Sequence, residues 1–149
     1  MSQEKTSEQV SFSTYLEKRK QQDKIGFYDI PVIQKAYYVG GYAQAVILSS
    51  WNSDVSKENT TFKNWLSNQI INFKNLERIF EIAFRFEQKL RLRIRNDSEV
   101  RKLSHEVQPG DKKGISSSKI SFAFVAGFDD YRKFLNENPL EIKEKGEKK

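Results

Sequence analysis

The sequence predicts an all-α fold, a compact bundle of about four or five helices with polar, disordered ends. Three observations carry that expectation. Apolar residues recur at three- and four-residue intervals in every patterned segment, no useful length of chain alternates as a strand does, and 149 residues are enough for one core with little room for two. At 37% hydrophobic and 31% charged residues the aliphatic supply is low, so the eleven Phe, six Tyr and two Trp must carry much of the burial.

Residues 1–27 read as a flexible polar arm. MSQEKTSEQ has nothing to bury, and SFSTYLEKRKQQ can form a helical turn or two on docking but has too few apolar positions to fold alone. The helical domain is expected over 28–136. Pro31 suits a first helical turn, Asp29 stands ready to accept a free amide, and PVIQKAYYVGGYAQAVILSSW then runs almost wholly apolar, as a buried helix does. Gly40 and Gly41 in its middle weaken it by about 1 kcal/mol each, which points to a close approach by another backbone.

After the polar loop NSDVSKENT, Thr60 or Thr61 can cap a short helix over FKNWLSNQ, with Phe62, Trp65, Leu66 and Gln69 at helical spacing. The longest pattern runs from Asn72 to about Asn96. Its Leu76, Ile79, Phe80, Ala83, Phe86, Leu90 and Ile94 share one side of the cylinder, and Glu87 is the one charge intruding there. Asp97 or Ser98 caps a further short helix, SEVRKLSHEV, before the breaker cluster QPGDKKGISSS. The last helix carries Ile120, Phe124, Gly127, Phe128, Tyr131 and Leu135 as its stripe and ends at Asn138 and Pro139. Residues 137–149 are a charged tail. The small patches Gly40–Gly41 and Ala126–Gly127 are expected to meet face to face.

Composition excludes several functions. The chain has no Cys and a single histidine, His105, so a thiolate metal site, a cysteine nucleophile or a multi-histidine centre has no ligands, and no catalytic set emerges. Neither metal nor cofactor is expected. No apolar run approaches the roughly 20 residues of a membrane span, and the start lacks the form of a signal peptide, so a cytoplasmic protein is expected. The charge is uneven: residues 74–113 hold 11 basic against 7 acidic side chains, four of the six net positive charges. That asymmetry asks for an acidic partner.

On the long helix Lys74, Arg78, Arg85, Lys89 and Arg93 follow at intervals of 4, 7, 4 and 4 residues, within roughly a 100° sector. A cation every turn or two matches the charge repeat of an extended phosphate backbone without reading bases. A solvated face of a soluble helix accounts for the same spacing. Arg91 and Arg95 on that helix, with Arg101, Lys102, Lys112 and Lys113, extend the positive region. Most Phe and Tyr are assigned to the core by their stripes, whereas Tyr37, Tyr38 and Tyr42 could face either a groove or the core. Asp129 and Asp130 diverge by about 100° and make no carboxylate pair.

In order, AYYVGGYAQAVI, a polar loop, FKNWL, NLERIFEIAFRFEQKLRL and ISFAFVAGFDDY resemble the small subunit of type I CRISPR Cascade complexes, most closely the kind related to the C-terminal helical region of the type I-B large subunit. The likeness covers about residues 28–135 and rests on helix order and the Gly-Gly helix. It implies a non-enzymatic antiviral-defence subunit that stacks in several copies beside the backbone and large subunits of a guide-RNA ribonucleoprotein. There it would stabilise the complex and hold target or displaced single-stranded DNA. A purely structural helical adaptor between proteins, and the small subunit of a type III complex acting on RNA, are the alternatives.

Overall fold

A computed structural model describes residues 11–23, 25–49, 56–90, 97–106 and 115–137, which form six α-helices and one 3-10 turn, with no strand among the described residues. In chain order these are α1 (Ser13–Gln22), the 3-10 turn Phe27–Asp29, α2 (Pro31–Ser49), α3 (Ser56–Ser67), α4 (Phe73–Leu90), α5 (Asp97–Glu106) and α6 (Ser117–Glu137). The fold is an all-α bundle built around α2. That helix carries one charge, Lys35, and from Val32 to Ile47 every residue is buried except the half-buried Gln34. A helix apolar on all sides must be covered on all sides. α6 packs on it most extensively, and α5 and α4 also lie against it.

The α2–α6 contact is made by backbone. A Cβ on Gly40 would stand 2.0 Å from the carbonyl oxygen of Phe124, and one on Gly127 would stand 1.9 Å from that of Tyr37. Ala126 is buried in the same stretch of α6. Absence of a side chain at these glycines lets two helices approach closer than any other residue allows. Gly41 serves a different neighbour, because its added Cβ would meet the ring of Phe12 at 2.6 Å.

That ring corrects the expectation of a flexible arm through residue 27. Phe12 is fully buried, stacked on Tyr37 at 5.4 Å, and Tyr15 and Leu16 of α1 are buried beside it. A ten-residue helix this polar has little stability of its own, so long-range contacts hold it in place. Arg19 reaches Asp130 of α6 with Nε at 2.6 Å and a terminal nitrogen at 2.9 Å, a two-pronged pair, and the Tyr15 hydroxyl donates to Glu137 at 2.5 Å.

Other boundaries also move. α3 begins at Ser56, so Thr60 and Thr61 lie within it instead of capping it. Asp29 sits in the 3-10 turn, 3.9 Å from Lys20, while the Ile30 carbonyl accepts the amides of Ile33 and Gln34 at the start of α2. The turn is entered through Gly26 at φ 76°, a left-handed conformation that suits glycine. Asn72 caps α4 by accepting the Asn75 amide on its side-chain oxygen at 3.0 Å. Leu76, Ile79, Phe80 and Ala83 of α4 are buried as the periodicity requires. The segment 91–96, including Ile94, and the tail from residue 138 lie outside the described residues.

Two tyrosine-centred networks cross the core. Tyr37 of α2 donates to Asp130 at 2.6 Å on the oxygen that also receives Arg19 Nε. Burial, and then the bond to Asp130, pushes the Tyr37 phenol far above its usual range, and the same carboxylate holds the Arg19 guanidinium firmly charged. In the second network Tyr42 donates to the buried Glu87 of α4, whose other oxygen accepts Arg101 of α5 at 2.5 Å. A third buried charge, Lys35, donates to the Ser104 carbonyl at 2.9 Å and pairs with Glu77 at 2.8 Å.

Candidate nucleic-acid interface

α4 is amphipathic in the strict sense. With its apolar stripe turned inward, Lys74, Arg78, Arg85 and Lys89 are all exposed on the opposite side. At 100° per residue these four fall within roughly a 60° sector and extend over about 22 Å of helix. Arg78 is the one with a visible constraint, its guanidinium lying 5.9 Å from the centre of the half-buried Trp65 ring of α3. Such a row can neutralise successive phosphates of a polyanion, and release of the polyanion's condensed counterions drives the contact.

The remaining basic residues divide. Lys102 is exposed on α5. Arg101 is half-buried and committed to Glu87, so its first role is to neutralise a buried carboxylate. Arg91, Arg93, Arg95, Lys112 and Lys113 lie outside the described residues.

Tyr37, Tyr38 and Tyr42 face the core and not a groove, each 5% exposed or less. Their rings fill the wide spaces that the small residues of α2 leave, and two of the hydroxyls are satisfied by buried carboxylates. His105 is exposed in the last turn of α5, as a surface histidine near a helix C-terminus should be, whereas the exposed ring of Phe84 has no counterpart in the sequence reading. Phe84 is 37% exposed and packs on Phe80 with rings 6.1 Å apart and 12° from parallel, and His105 of α5 is exposed and lies 5.4 Å from Phe80 at 27°. The signal for Phe84 was available, since its place on α4 is about 100° from the middle of the apolar stripe.

Among the described residues no group of three His, Cys, Asp or Glu could hold a metal ion, and no helix is long and apolar enough to cross a membrane. No family model, curated protein or solved structure matches the chain.

Proposed function

We propose that the chain is a non-catalytic helical subunit of a guide-RNA ribonucleoprotein of the CRISPR effector class, contacting target or displaced single-stranded DNA through α4. The observation that carries this reading is the exposed row Lys74, Arg78, Arg85 and Lys89 on one face of one helix, backed by a core that fixes the helix in place. Charge alone can track a single strand, without base readout, and several copies in a row would multiply weak contacts from each. The resemblance in helix order and in the Gly-Gly helix supplies the class of assembly; a cytoplasmic location and contacts with backbone and large subunits belong to the same proposal.

The test is binding of a single-stranded 20-mer to the full chain, and to complexes copurified with it, across a salt series. Each phosphate contact should contribute about −0.7 to the log-log slope. A slope near zero, unaffected by replacing Arg85 and Lys89 with Ala, would reject the interface. Parallel DNA and RNA strands separate the DNA-binding form from an RNA-targeting relative.

A purely structural adaptor is the second reading. It is favoured by exposed apolar side chains, Ile25 at 85% and Phe122 at 60%, which line one surface pocket, with Val125 at 49% one turn along α6 from Phe122; these suit a protein partner better than a polyanion.

A further inference from the structure

A groove of about 440 Å³ opens between α4 and α5. Its aromatic lining is Phe80, Phe84 and His105; Phe80 lies near-parallel to each of the other two, which are exposed. One wall carries Arg101 and Lys102, and the other carries Glu77 and Glu81. Arg101 is bonded to Glu87 and Glu77 to Lys35. Lys102 and Glu81 form no ion pair with any described residue.

We infer that this groove holds one unstacked base of a single DNA strand, stacked against Phe84, with an adjacent phosphate on Lys102. The inference rests on the reading of α4 as a nucleic-acid face and names the subsite where that face touches a base. Two features select a base over an apolar peptide segment. The lining presents an exposed aromatic ring, on which any base can stack, and the cation on the rim answers the phosphate that accompanies every base. Position agrees, because Glu81 lies on α4 between the basic row and Phe84, so a strand on the row passes the mouth of the groove. Glu81 also gives a preference. An ionised carboxylate only accepts, so it favours the edge of a base bearing an exocyclic amine, as cytosine does, over thymine, which presents a carbonyl there.

Three 20-mers test this on the full chain at low salt: oligo(dC), oligo(dT) and an abasic strand of the same phosphate count. Oligo(dC) should bind most tightly, and oligo(dT) should exceed the abasic strand by about five- to tenfold. Phe84→Ala should bring oligo(dT) down to the abasic level and leave the abasic affinity unchanged, and Phe84→Trp should restore the difference. Glu81→Gln should narrow the gap between oligo(dC) and oligo(dT). Equal binding of oligo(dT) and the abasic strand by the wild type overturns the base subsite and leaves the charge-tracking face standing. Equal losses for oligo(dT) and the abasic strand in Phe84→Ala also overturn it, since they would make the ring a support of the fold. Failure of all three strands to bind overturns both readings together.

Discussion

The hydroxyl of Tyr42, in the middle of the apolar helix α2, donates to the carboxylate of Glu87, the single charge on the inward face of α4. Arg101 closes the arrangement from α5. Removing the cation alone leaves a buried carboxylate with no counter-charge among the described residues. Arg101→Met should therefore destabilise the chain by about 3 to 5 kcal/mol, whereas the double variant Glu87→Leu, Arg101→Met should recover much of that loss. Urea unfolding of the wild type, both singles and the double decides it, and strictly additive effects would show that the pair is not coupled.

Gly40→Ala and Gly127→Ala place a methyl group against backbone, which cannot swing away as a side chain can. Each should lower stability by about 1 to 3 kcal/mol or more, by forcing α2 and α6 apart. Gly41→Ala meets the Phe12 ring instead, and its effect should concentrate on α1. Limited proteolysis should then cut near residues 13–22 while amide protection in α2 and α6 persists, and uniform loss of protection would contradict the separate docking of α1.

Raised phenol pKa values make the fold sensitive to alkali. The folded state holds the Tyr37 proton more tightly than the unfolded chain, whose tyrosines titrate near pH 10, so above that pH the unfolded state binds fewer protons and stability falls as pH rises. Below that range the contribution is fully present. Tyr28 shifts in the same direction through burial, against the opposing charge of Arg19. Absorbance at 295 nm should show a tyrosine class that ionises only together with loss of helical circular dichroism. Tyr37→Phe should reduce the alkaline sensitivity relative to the wild type at equal starting stability, and an unchanged alkaline profile would assign it to other groups.

Substitutions on the α4 row should separate binding from folding. Lys74→Ala, Arg78→Ala, Arg85→Ala and Lys89→Ala should each flatten the salt slope for single-stranded DNA by about 0.7 while shifting stability by no more than about 0.5 kcal/mol. Arg78→Ala should in addition alter Trp65 fluorescence, because the guanidinium lies over that ring. Thermal melts paired with the salt series provide both readouts.

Much of the fold was legible in the sequence where periodicity was strong. The stripes of α4 and α6 and the unbroken apolar run of α2 each dictate a buried surface, and Gly40, Gly41 and Gly127 mark where backbones or rings approach. α1 was not legible as part of the domain, because Phe12, Tyr15 and Leu16 are too few to predict docking without knowledge of the site that receives them. The buried ion pairs were equally hidden. Arg19 finds Asp130 across 111 residues and Tyr37 finds it across 93, and no local spacing encodes such a meeting. Lys35 looks like a misplaced charge in an apolar helix until the Ser104 carbonyl and Glu77 are seen beside it. The basic row was legible as a row, but the exposed ring beside it was absorbed into the count of core aromatics.

The backbone contact between α2 and α6 has a consequence for how the chain is made. At about 5 to 20 residues per second of synthesis, α2 leaves the ribosome roughly 5 to 20 s before the helix that covers its glycine face. During that interval a 19-residue apolar segment waits without its main partner, the state in which nascent chains are most exposed to chaperones and to one another. The same geometry suggests a practical use. A fragment ending before residue 115 and a separate peptide spanning 115–137 would share one continuous seam, so the two could reassemble in trans, with Asp130 on the peptide reporting correct register through its bonds to Tyr37 and Arg19.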